Sequence, residues 1–133
     1  MKYNIRAGFF LITLFLLTPM IRLVAQDSLA VSLETPYQTV YTHLHYLQDN
    51  NYYPDLAANA FLQEGVSIQA AREAAIKLKQ ILDGSGIYIE MEELPRKPDY
   101  LDSAVNKHRY VLTSQHPDIY LTRINGKWKY DRS

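Results

Sequence analysis

Between Gly84 and Gly86 the spacing of the apolar residues changes, and that change restricts the folds open to this chain. Upstream, Ala71, Ala74, Ala75, Leu78, Ile81 and Leu82 recur at helical spacing. Downstream, Ile87, Ile89 and Met91 alternate with Tyr88 and Glu90, the two-residue period of a half-buried strand. Gly84-Ser-Gly86 between them is a helix stop. Helical before the break and stranded after it, the chain reads as α+β, with helices first and strands second.

Three helices are predicted before the break. Thr35-Pro36 starts the first, with Thr as N-cap and Pro at the first helical position, where its missing N–H costs nothing. Val40, Leu44 and Leu47 form its apolar stripe, and Tyr37, Tyr41 and His45 line a neighbouring stripe at i, i+4, i+8. Asp49-Asn-Asn51 is read as its stop. Pro54 disfavours helical geometry in the residue before it, so Tyr52-Tyr53 is extended. A second, short helix is expected from about Asp55 to Gln63, burying Leu56, Ala57, Ala60 and Phe61 and ending near Gly65. Ser67 caps the third, which runs to Asp83 with Glu73 and Lys77 four apart on its wet side.

After the Ile87 strand, Glu92 to Asp99 holds Pro95 and Pro98 and is loop. Arg109 to Thr113 reads as a strand and Ser114-Gln-His-Pro117 as a turn. Ile119 to Ile124 and Lys127 to Tyr130 flank Asn125-Gly126, the strongest short hairpin signal. A two-residue connection sets Arg123 opposite Trp128 and Leu121 opposite Tyr130. The expectation is three helices followed by a small antiparallel sheet that ends in an Asn-Gly hairpin.

The amino terminus bears on the compartment. Lys2 and Arg6 precede an apolar run from Ala7 to Leu17, and Leu23-Val-Ala-Gln26 places a small residue at a cleavage point. That is the order of parts in a secretory signal peptide, read here as residues 1–25. A retained membrane anchor is the alternative, since Ile5 to Ala25 spans 21 residues. Pro19 and Arg22 interrupt its distal end. Residues 26–34 read as a linker and 35–133 as one small extracytoplasmic domain. The leader takes three of the 14 basic residues and none of the 14 acidic ones, leaving a net charge of −3. Nucleic-acid binding calls for a clustered basic face, which is missing from this sequence. With no cysteine in the chain, the exported domain relies on its core for stability.

Chemistry-bearing patterns are sparse. His43 and His45 are two apart, which on a helix puts them on different faces. His108 and His116 have no carboxylate at a telling spacing, and a zinc site needs three or four convergent ligands. Glu92-Glu93 and the Asp99/Asp102 pair read as solvated loop charges. Ser85 follows a helix and precedes a strand, the reverse of a nucleophile elbow. Gly126-Lys127 lacks the rest of a phosphate-binding loop. The reading is of a non-enzymatic chain with no metal and no cofactor. Tyr37, Tyr41, His45, Tyr52, Tyr53, Trp128 and Tyr130 are the candidate packing or partner-surface residues, because aromatic side chains combine area with a polar handle.

The run Thr35-Pro-Tyr-Gln-Thr-Val-Tyr-Thr-His-Leu-His-Tyr-Leu-Gln48, with Tyr53-Pro-Asp-Leu-Ala-Ala58, carries a resemblance. So do Ala74-Ala-Ile-Lys-Leu-Lys-Gln-Ile-Leu-Asp-Gly-Ser-Gly-Ile-Tyr88, Arg109-Tyr-Val-Leu112, Pro117-Asp-Ile-Tyr-Leu121 and Gly126-Lys-Trp128. This series resembles the extracytoplasmic amino-terminal region of mechanosensitive ion channel family proteins (small-conductance type) of Bacteroidetes-type bacteria. The resemblance implies a periplasmic domain, at the inner membrane's outer face, that contributes to channel assembly or gating. It implies channel subunits or the membrane module as partners, and self-association, because such channels are rings. In those proteins the region precedes membrane-spanning helices, whereas this sequence ends just past Tyr130 and has no later apolar run approaching 18 residues. An amino-terminal fragment is therefore expected, with a stand-alone copy as the alternative. The second functional reading is a free-standing exported binding domain resembling nuclear-transport-factor-2-like α+β folds, which needs a curved sheet around a cone-shaped pocket beside Tyr37 and Tyr41.

Overall fold

The computed structural model describes residues 31–131. The expected signal segment 1–25, the first part of the expected linker, and residues 132–133 lie outside the described residues.

Helix α1 (Pro36–His45) begins where its cap requires: Thr35 Oγ1 accepts the Gln38 N–H at 3.1 Å. It stops at His45, short of Gln48. Leu47–Gln48 (β1) and Asn51–Tyr52 (β2) instead pair antiparallel around Asp49-Asn50, so the Asn-rich stretch is a hairpin turn. The reason lies in the helix-end carbonyls. Tyr46 C=O accepts the Tyr53 N–H at 2.8 Å, and His45 C=O accepts the Asn51 side-chain amide at 3.3 Å.

The second helix is shorter and tighter than expected. Helix α2 covers Pro54–Ala57 and runs into a single 3-10 turn, Ala58–Ala60. Ala57, Ala58 and Ala60 are completely buried, which brings this backbone close against α1 and α3. The Asn59 amide donates to the carbonyls of Asp55 and Leu56 at 3.0 and 3.1 Å and closes the turn.

Helix α3 (Ile68–Gly84) is capped by Ser67, whose Oγ accepts the Ala70 N–H at 3.1 Å. Its buried stripe is narrower than the sequence pattern. Ala71, Ala75 and Leu82 are buried and Leu78 is half-buried, while Ala74 and Ile81 face solvent. Gly86, in the left-handed region at φ 67, reverses the chain, and Ile87 N–H bonds back to Leu82 C=O at 2.9 Å.

The strand expected over Ile87 to Met91 does not form. Burial alternates as expected, with Ile87 buried, Tyr88 84% exposed and Ile89 half-buried, but no neighbouring strand pairs with the stretch. Met91–Glu93 then coils into a 3-10 turn. Alternation reflects which side chains reach the core, whereas strand structure also requires a partner within about 5 Å.

The sheet has the order β3-β4-β5, from Arg109–Thr113 (β3), His116–Ile124 (β4) and Lys127–Tyr130 (β5). The turn expected over Ser114 to Pro117 is shorter, because Thr113 already pairs with His116. Pro117 lies inside β4 but beyond the reach of β5, whose register ends at Leu121↔Tyr130, so no bond to β5 is lost there. Ile124 pairs with Lys127, and the two residues between them, Asn125 and Gly126, have φ 50 and 77. Arg123 pairs with Trp128.

Helices and sheet meet over Val40, Leu82, Leu112, Leu121, Trp128 and Tyr130. Thr39 Oγ1 donates to Trp128 C=O at 2.9 Å, and Trp128 Nε1 donates to Pro98 C=O at 2.9 Å, tying helix, sheet and loop together. Residues 31–34 are part of this body rather than a linker. Leu33 is buried, its carbonyl accepts the Trp128 N–H at 2.7 Å, and Ser32 C=O accepts the Thr42 hydroxyl at 3.1 Å. Among the described residues no helix is long and apolar enough to cross a membrane.

Candidate functional site

The aromatic residues of α1 divide into a buried and an exposed set. Tyr37, Tyr41 and His45 stack in a row down the helix, with ring centroids 6.1 and 4.6 Å apart and interplanar angles of 21° and 16°. Four-residue spacing produces this row, since side chains at i and i+4 lie on one face. Arg96 places its guanidinium 3.6 Å from the Tyr37 ring centre, and His45 continues edge-on to Tyr46, which meets Tyr53. Tyr41 and His45, nearly parallel at 4.6 Å, cover one another's facing sides, while Tyr37 is offset from Tyr41 and covered by Arg96. That arrangement disfavours stacking on a flat ligand and suits packing against side chains.

Beside this row, α1, the end of α3 and the Ile87–Met91 stretch enclose an open groove of about 350 Å³. Leu44, Leu82, Ile87, Ile89 and Met91 form its apolar floor, Tyr41 and His45 one wall, and Tyr88 its rim. Gln48 and the Lys79–Asp83 ion pair close one end. An apolar centre within a polar rim is the make-up of a protein-docking surface.

The sequence-predicted residues separate clearly. Tyr41 and His45 line the groove, and Tyr37 is half-buried against the core. Tyr52 and Tyr53 are exposed at 56% and 47%, on the β1–β2 hairpin side. Trp128 and Tyr130 are buried in the core, each with its polar atom hydrogen-bonded. Sequence reasoning missed Tyr88 and Arg96. Tyr88 left a signal, a bulky aromatic on the wet phase of an alternating stretch; Arg96, in a proline loop, left none.

His43 is completely buried and bridges three elements. Its Nε2 lies 2.8 Å from Ala75 C=O of α3 and its Nδ1 lies 3.0 Å from the Tyr130 hydroxyl of β5. A carbonyl only accepts, so Nε2 carries the proton and Nδ1 accepts from Tyr130. Burial is the main cause that lowers its pKa to about 4; the Ala75 bond opposes this, Lys79 adds to it and Asp83 opposes it. Burial likewise pushes the Tyr130 hydroxyl well above its ordinary range. Phe61 packs edge-on to the imidazole and stacks on Tyr130 at 4.4 Å. This is a neutral, hydrogen-bonded brace.

The other groups considered for chemistry are dispersed. Ser85 caps the end of α3, His108 Nδ1 donates to Tyr100 C=O at 2.7 Å, and His116 sits in β4. Among the described residues no three His, Cys, Asp or Glu side chains are grouped to hold a metal ion. The groove beside Tyr41 contains no residue of the three-stranded β3-β4-β5 sheet. No protein-family model, curated protein or solved structure matches the chain.

Proposed function

We propose that this chain is a non-catalytic periplasmic accessory domain that docks on the subunits of a mechanosensitive-channel-type assembly and contributes to its assembly or gating. The observation that carries the docking half of this reading is the α1–α3 groove, whose apolar floor is open beside Tyr41, His45 and the 84%-exposed Tyr88. Exposed tyrosines around an apolar centre are what a partner surface needs, since aromatic residues are enriched there and carry much of the binding energy. The channel half of the reading rests on the resemblance of the Thr35 to Tyr130 motifs. Export rests on the order of residues in 1–25.

The test is site-specific photo-crosslinking from position 88 in cells that co-express the chain with a channel subunit of the resembled type. The expected result is an adduct containing that subunit, absent when the crosslinker is moved to exposed Gln115 on the β3–β4 turn. Adducts of equal yield from both positions, or no adduct with the subunit, contradict the proposal.

A further inference from the structure

The Ile87–Glu90 stretch has a second recess on its sheet side. A slot of about 310 Å³, predominantly polar in its lining, separates Tyr88, Ile89 and Glu90 from the β3 residues Tyr110 to Thr113. Both walls carry open backbone groups. Among the described residues, the backbone bonds of the stretch fall at its ends, Ile87 N–H to Leu82 C=O and Glu93 N–H to Glu90 C=O, leaving Tyr88 and Ile89 without a backbone partner. Across the slot, β3 pairs with β4 alone.

The ladder phase identifies which β3 groups face the slot. Arg123 N–H donates to His108 C=O at 3.2 Å, so Arg109–Thr122 is a non-hydrogen-bonded pair, and Val111–Tyr120, two residues on, shares its phase. Asp131 N–H donates to Tyr120 C=O, which therefore faces β5 and not β3, as that phase requires. Val111 thus turns its N–H and C=O away from β4. Two rows of open backbone groups across a polar slot are the geometry of strand addition.

The charge around the slot selects the occupant. Glu90 and Glu93 line it and no basic residue does. A second copy added edge to edge brings the same two carboxylates against themselves, which disfavours self-pairing. We propose that this slot receives an extended segment of a different protein carrying lysine or arginine at alternate positions. Main-chain bonds to Val111 and to one of the adjacent residues Tyr88 and Ile89 hold it, and Glu90 and Glu93 pair with its basic side chains. The site lies across the Ile87–Glu90 stretch from the α1–α3 groove, sharing Tyr88 and Ile89 with it, and does not rest on the channel reading.

The test is an NMR titration of the ¹⁵N-labelled full chain in mild detergent with acetyl-Thr-Val-Lys-Val-Lys-Val-Thr-amide. Two control peptides have Glu for Lys, or N-methyl groups on the slot-facing amides. The expected result is saturable shifts at Tyr88, Ile89 and Val111 with slowed hydrogen exchange at Val111. Binding is about tenfold weaker for the Glu peptide, an attraction exchanged for a repulsion, and lost on N-methylation. Reversing the exposed charges with Glu90→Lys and Glu93→Lys inverts the order of the Lys and Glu peptides. The inference is overturned by no saturable shift, by equal affinity of all three peptides, or by a dimer whose Val111 amide is protected before peptide is added. Any of these leaves the crosslinking result from position 88 untouched.

Discussion

His43 is the residue whose protonation most directly reports on the packing of α1 against α3 and β5. Both ring nitrogens have partners, Ala75 C=O and the Tyr130 hydroxyl, and a proton added at Nδ1 displaces the bond donated by Tyr130. The folded-state pKa of about 4 lies below the unfolded value of about 6.5. Between those values the unfolded chain binds more protons, so stability falls as pH drops from about 6.5 towards 4, by on the order of 3 kcal/mol in all. Lys79 and Asp83 are the charged side chains acting on His43, with opposite signs. Urea unfolding at pH 7 and pH 5 is expected to show about 2 kcal/mol of this loss in the wild type and a much flatter dependence in His43→Gln. Equal pH dependence in both proteins contradicts the assignment. Tyr130→Phe removes the hydroxyl and leaves Nδ1 buried without a donor, with an expected cost of about 1–3 kcal/mol at pH 7 in the same measurement. The spacing of His43 and His45 showed that they cannot share a ligand; burial of one and stacking of the other depend on α3 and β5, far along the chain.

At the scale of elements, what was legible was what neighbouring residues decide. Thr35-Pro36 and Ser67 start helices because a side-chain oxygen reaches an N–H three residues on, and Gly84-Ser-Gly86 ends one because Gly86 takes the left-handed region. The β4–β5 register follows from a two-residue connection with positive φ at both positions. Gly126→Ala is accordingly expected to cost about 1–2 kcal/mol, seen as a lowered thermal midpoint, because a Cβ is unfavourable in the left-handed region; an unchanged midpoint contradicts the turn geometry. What was not legible depended on distant partners. Ile87 to Met91 carries a strand pattern, but pairing needs a neighbour that local sequence does not supply. The end of α1 is set by Tyr53 N–H, and the expected linker is drawn into the body through Leu33 and Trp128. The candidate site was half legible: i, i+4, i+8 spacing located the Tyr37, Tyr41, His45 row, while the groove floor comes from α3 and the Ile87 stretch.

At the scale of the whole molecule, a cysteine-free body of helices against a three-stranded sheet leaves one extended stretch, Ile87–Glu90, as a ridge between two recesses. The groove on its helical side has an apolar floor and suits side-chain docking. The slot on its sheet side is polar and suits main-chain docking. The central claim is that the first of these surfaces holds a channel subunit. Its most direct test is the affinity of the full chain for that subunit in nanodiscs, wild type against the Tyr41→Ala/Tyr88→Ala pair. Both side chains are exposed, at 42% and 84%, so the fold is retained. The account predicts measurable wild-type binding that weakens by about 10- to 100-fold in the double variant. Equal affinity of the two proteins, or no binding by the wild type, would contradict it.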